Sequence, residues 1–247
     1  MTLAEVWNER LGSRDGVDLA IEPTVCAEAA AAFSPVGFTV RFEEGSYLAR
    51  VPNGFQLVVQ ASLLPEESGY EDVEGGAISR EVNTAAKTAE HVQLYIPPRW
   101  QGDRRSRARK LTQASVALYD ALAIDYVIAN TEGVGRYAWA TCGFDFYDHH
   151  ERRATIELAE QLAARLGRPR DLTAIHHSWE IAALEVTSDE DPVTLGELAK
   201  ASGVAAPPKE TEQIPFGKAL LLGPASTGWV GLLDLRSKSA GRAVLMS

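Results

Sequence analysis

Between Gly37 and Ala61 runs rich in apolar residues, alternating with polar ones over Phe38–Phe42, are broken at Glu44-Gly45 and at Pro52-Asn53-Gly54. Side chains on a strand point to alternate faces, and such turn residues end strands, so Gly37–Phe42, Tyr47–Val51 and Phe55–Ala61 are predicted as an antiparallel meander. Asp18–Glu22 is a further predicted strand, and residues 1–12 and the alanine-rich 26–33 are predicted helices. An acidic loop over 66–74 precedes two more strands, Ala77–Glu81 and His91–Ile96, which flank a Thr84–Thr88 turn. From Arg107 the period lengthens to that of a helix running through Ala123, with Leu111, Ala114, Leu118, Ala121 and Leu122 on its apolar face. Asp125–Ala129 then reads as a buried strand. A helix from Glu132 to Thr141 stops at Gly143, and Phe144–Tyr147 continues as a strand or tight turn.

Beyond residue 150 the strongest pattern is an amphipathic helix over Glu151–Leu166, ended by Gly167 and Pro169. Ser178–Val186 fits helix or strand, Thr194–Lys200 a short helix and Ala205–Lys209 a linker. Lys218–Leu222 and Trp229–Leu235 read as a terminal hairpin. These elements predict an α/β fold with a mixed, mainly antiparallel sheet flanked by helices over 1–150, and a C-terminal α+β extension or small subdomain over 151–247.

The chain is 45% hydrophobic and 23% charged over 247 residues, enough to bury a core, with no apolar run long enough to span a bilayer. The N-terminus lacks the basic and apolar regions of a signal peptide, and Cys26 and Cys142 fit no metal or redox spacing, so a cytoplasmic protein with no membrane association is expected. A net charge of −10 argues against a nucleic-acid partner, which needs cations over a broad face. Against that acidic body, Arg104, Arg105, Arg107, Arg109 and Lys110 cluster where the helix begins. A helix start already carries partial positive charge, so cations gathered there are costly unless they are solvated or an anion is bound, and a phosphate fits.

The order strand, Pro97-Pro98, Arg99-Trp100-Gln101-Gly102, basic helix, strand, Asn130, helix, Gly143-Phe144 resembles the GNAT superfamily of acyl-CoA-dependent N-acyltransferases over about Gly75–Phe146. The family's turn, Gln/Arg-x-x-Gly-x-Gly/Ala, aligns Gln101 with its first position, Arg104 with its first glycine and Ser106 with its second. A second register uses Asp103, Ser106 and Ala108. Arg104 in a glycine position replaces close backbone approach by a side-chain grip on phosphate.

The resemblance implies acetyl-CoA or another acyl-CoA as cosubstrate. It implies pyrophosphate held by Gln101, Gly102, Arg104, Arg105 and Ser106, and pantetheine along the Tyr95 and Ile96 backbone, with Asn130 among the donor-site landmarks. Tyr137 is the candidate acid, seven residues after Asn130, with Tyr147 behind it, while Trp139 reads as packing. Glu81, Glu90 and His91 are the candidate bases. The acceptor is a small-molecule or peptide amine, an acyl carrier protein is a candidate donor partner, and a homodimer is compatible with the extension. The alternatives are a non-catalytic acyl-thioester or carrier-protein binding module and a structural subunit. His149-His150 and His176-His177 invite a metal reading, but adjacent residues point in different directions and no recognised ligand spacing is present, so no metal is assigned.

Overall fold

Residues 19–20, 38–43, 45–65, 76–97, 104–131, 135–205, 207–223 and 228–247 are described by the structure, a computed structural model. The helices expected at 1–12 and 26–33 and the acidic stretch 66–74 lie outside them. By its contacts the chain divides into two units, 1–129 with 233–247, and 130–232. The boundary expected near 150 falls inside the second.

The first unit contains β1 (Leu19–Ala20), β2 (Phe38–Phe42), β3 (Tyr47–Val51), β4 (Gly54–Pro65), β5 (Gly76–Asn83), β6 (Thr88–Tyr95), α1 (Arg104–Ala121) and β7 (Tyr126–Thr131) as far as Ala129. The order β1-β3-β4-β5-β6-β7 is antiparallel up to β6, and β6 and β7 are parallel, giving the expected α/β class with a mixed, mainly antiparallel sheet. The meander is altered in one respect. β3 pairs with the start of β4 (Val51↔Gly54 to Tyr47↔Val58), whereas β2 pairs with its end (Phe42↔Ala61 to Phe38↔Pro65). A strand of twelve residues is long enough to hold both partners end to end, and Ser46 fastens the join through its hydroxyl to the Gln60 backbone. Alternation sets which side chains are inside: Leu57, Val59, Ala61, Ile78, Val82 and Ala89 are buried on one face. Helix α1 buries Leu111, Val116, Leu118 and Tyr119, as its 3.6-residue period requires, with Leu122 buried just past its end, and Tyr119 reaches His91 on that same face.

The second unit contains α2 (Gly135–Thr141), β8 (Asp145–Phe146), α3 (His149–Arg165), α4 (Ser178–Ala182), β9 (Val193–Thr194), α5 (Leu195–Ser202), β10 (Gln213–Ile214), α6 (Phe216–Leu222) and β11 (Trp229–Asp234) as far as Leu232. Gly143, at φ +83°, ends α2 in the left-handed region where glycine carries no steric penalty. Asp148 caps α3 by accepting the His150 and Glu151 N–H groups, and Thr194 with Glu197 forms a capping box at α5. The expected hairpin is corrected: Trp229–Asp234 is a strand, but Lys218–Leu222 is part of helix α6. A short apolar run fits either element, and here Pro215 opens a helix that buries Phe216, Ala219, Leu220 and Leu221. Gly217 makes that packing possible, since a Cβ there would lie 2.0 Å from the Ile181 carbonyl oxygen.

After β11 the chain re-enters the first unit, where Leu235 N–H donates to the Asp125 carbonyl and α7 (Ala240–Met246) begins at its Ser239 cap. Among the described residues no helix is long and apolar enough to cross a membrane.

Candidate functional site

Strand β6 changes character midway. Its parallel pairing with β7 runs from Thr88↔Tyr126 to His91↔Ala129, and past that point it continues along β5 to Ala77↔Tyr95. Between Arg80↔His91 and Ser79↔Gln93 the register shifts, leaving Val92 as the extra residue of a β-bulge. Pro97 follows, buried, and α1 opens at Arg104 with no acidic side chain in its first turn. The bulged strand and, later in the chain, the helix that opens with Arg104 and Arg105 both belong to the first unit.

The candidate donor residues divide accordingly. Tyr95 is 40% exposed and Ile96 is half-buried. Arg104, Arg105 and Ser106 supply the backbone of the first turn of α1, and Gln101 and Gly102 lie outside the described residues. Arg109 is not a spare cation. Its guanidinium donates to the carbonyls of Val244 and Leu245 (2.9 Å to the latter) and to the Ser247 hydroxyl, closing the C-terminus of α7.

The candidate bases separate onto two faces of the sheet. Glu81 and Glu90 are cross-strand partners, both half-exposed, whereas Arg80 and His91 form the neighbouring pair on the buried face. His91 is 2% exposed and its Nε2 lies 2.9 Å from the Tyr119 hydroxyl. Burial, with the Arg80 charge nearby, holds His91 well below its ordinary pKa and so neutral, while burial pushes Tyr119 up to about 12. Arg80 is itself only 2% exposed, and burial lowers it to about 10, which leaves it cationic at neutral pH. Its position was visible in the alternation Ile78-x-Arg80-x-Val82, which puts a cation in the inward register.

In the second unit Asn130 is exposed on β7, and Tyr137 is buried on α2 with the Lys218 ammonium 5.9 Å from its ring centroid. Trp139 packs against Phe144 at 4.9 Å. The sequence reading missed a second polar group there. Asp145 Oδ2 lies 2.5 Å from His177 Nδ1, and its other oxygen accepts the N–H groups of Phe146 and Ser178. The His177 ring stacks on Trp179 at 4.3 Å and 14°. Held on the Nδ1 side by a carboxylate, a neutral imidazole keeps its lone pair on Nε2, the orientation a proton acceptor requires. Thirty-two positions separate the two residues, and nothing local in the sequence joins them. His176 bonds instead to Arg152, so the two adjacent histidines serve different partners.

A surface cavity of about 410 Å³ lined by Arg165, Leu166, Glu197, Lys200 and Ala201 includes none of the candidate residues. No protein-family model, curated protein or solved structure matches the chain.

Proposed function

We propose that the protein is an N-acyltransferase of the GNAT kind, moving an acetyl or longer acyl group from a CoA-type thioester to the amine of a small molecule or peptide. The observation that carries this reading is the β6 bulge at Val92, in a strand parallel to β7 and followed by a helix whose first turn is cationic and free of acid groups. The helix start, with Arg104 and Arg105, binds the pyrophosphate. The backbone at Tyr95 and Ile96 binds pantetheine and polarises the thioester carbonyl. The amine attacks that carbonyl, the C–N bond forms as the C–S bond breaks, and the amine proton passes to a base while the departing thiolate is protonated, with Glu81 the half-exposed candidate base.

Calorimetric titration with free CoA, acetyl-CoA and longer acyl-CoAs tests the donor site directly. Saturable binding is expected, and replacing Arg104 and Arg105 by alanine weakens it by about 1.5–3 kcal/mol per lost charge-assisted contact. Unchanged affinity in the double variant removes the phosphate site from α1. The burial of His91 favours one second reading, a non-catalytic acyl-thioester or carrier-protein binding module. Tight CoA binding with no thiol release across a panel of amines supports that module over the enzyme.

A further inference from the structure

We propose that Arg80 is a positioning residue that clamps the β6 bulge, and through it the strand segment that faces the acyl thioester. The second half of this statement rests on the acyltransferase reading; the first does not. Nη1 of Arg80 carries two hydrogens, and they go to two different strands, to the Ser79 carbonyl at 2.8 Å and the Gln93 carbonyl at 2.6 Å. Ser79 and Gln93 are the pair immediately beyond the register shift, and Arg80 and His91 the pair immediately before it. One nitrogen therefore bridges the place where Val92 interrupts the ladder.

An inserted residue disturbs the regular exchange of N–H and C=O groups, and the carbonyls beside it need donors. A leucine or methionine would fill the buried space without the desolvation cost of a guanidinium, and no carboxylate forms an ion pair with Arg80 among the described residues. The geometric return is the fixed bulge. Because side chains alternate, the extra residue decides which way everything after it faces: with Val92 bulged, Leu94 pairs with Ile78 on the buried face and Tyr95 with Ala77 on the other. Were Val92 taken back into the ladder, Leu94 and Tyr95 would exchange faces and the backbone at Tyr95 and Ile96 would turn with them.

The test compares wild type with Arg80→Met, which keeps an unbranched apolar stem in the buried space and removes the donors, and Arg80→Lys, which keeps the charge without the planar fork. Amide hydrogen exchange at Val92–Tyr95 needs no ligand. It is expected to quicken by about tenfold or more in Arg80→Met and by less in Arg80→Lys. Acyl transfer is read in parallel: kcat falls about 10²-fold in Arg80→Met, the scale of a misplacement of about 1 Å at the reacting centre. The Kd for free CoA stays within about threefold, because the phosphate grip lies on α1. A merely structural loss would lower the active fraction and leave the kcat of the remaining folded protein unchanged. If Arg80→Met does not fold, Arg80→Lys carries both readouts. Unchanged exchange at Val92–Tyr95 overturns the clamp, and faster exchange with unchanged kcat overturns its catalytic part. Wild-type protein that binds no acyl thioester sinks the acyltransferase reading instead, and the exchange result still decides the clamp.

Discussion

His91 shows how one residue's surroundings set its chemistry. An imidazole exposed at a strand end takes up a proton near neutrality, but here burial and the Arg80 charge hold it well below 6.5 and keep it neutral in the fold. In the unfolded chain it titrates normally. Below pH about 6.5 the unfolded state binds a proton that the folded state refuses, so stability is fully retained above that pH and is lost as pH falls toward the depressed folded value. The expected slope is about 1.4 kcal/mol per pH unit from this one group. Carboxylates lowered chiefly by backbone N–H bonds, such as Asp148 and Glu197, act in a separate window at lower pH. Urea unfolding of wild type and His91→Phe between pH 5 and pH 7.5 checks the point, since the slope should vanish in the variant. A slope that persists in His91→Phe would assign the acid sensitivity to another group. The strand position of His91 was legible in the sequence; its neutrality was not, because the helix that supplies Tyr119 lies 28 positions away.

At the level of elements, periodicity identified β5, β6, α1 and α3, where a long pattern with a cap or a stop leaves little freedom. It failed at α6, where the apolar residues satisfy helix and strand alike and the decision rests on the approach of Gly217 to Ile181. It also passed over α7, too short for a pattern to show. That omission bears on the basic cluster at α1, whose cations looked equivalent in the sequence and differ in role. Arg109, joined by Gln113 Nε2 donating to the Leu245 carbonyl at 2.8 Å, satisfies the C-terminal carbonyls of α7, where a cation also meets the negative end of the helix dipole. Arg109→Leu is therefore expected to lower unfolding free energy by about 1.5–3 kcal/mol, the range for hydrogen bonds to a charged group, and to leave CoA affinity untouched. Arg104→Ala and Arg105→Ala should do the reverse. A denaturation curve and a CoA titration on each variant separate the roles, and an Arg109→Leu protein of wild-type stability that has lost CoA affinity would return that arginine to the donor site.

For the whole molecule the decisive feature is that the first unit is assembled from both ends of the chain. Composition and local pattern suggested a stop near residue 150, because the amphipathic helix α3 begins there; nothing local reveals that 233–247 return. Their contribution to the first unit is substantial. Leu233, Leu235 and Leu245 are buried, Arg242 makes a two-pronged pair with Asp120 at 2.6 and 2.7 Å while donating to the Leu235 carbonyl, and the Arg236 guanidinium sits 5.1 Å from the Tyr126 ring centroid. Burying a leucine is worth about 1.5–3 kcal/mol relative to leaving it exposed, so losing these three alone removes an amount comparable with the roughly 5–15 kcal/mol that keeps a domain folded. It would also remove the hydrogen bonds that Asp120, Arg109 and Gln113 make to the returning segment. A chain ending at residue 150 is therefore expected to give no cooperative thermal transition, even though it contains every residue implicated in the donor site. Supplying 233–247 through a short flexible linker in place of 130–232 should restore a cooperative transition if the first unit folds on its own contacts. A sharp melt from the 1–150 chain, near the wild-type midpoint, would show that the returning segment contributes little and that the fold is closed by the N-terminal part.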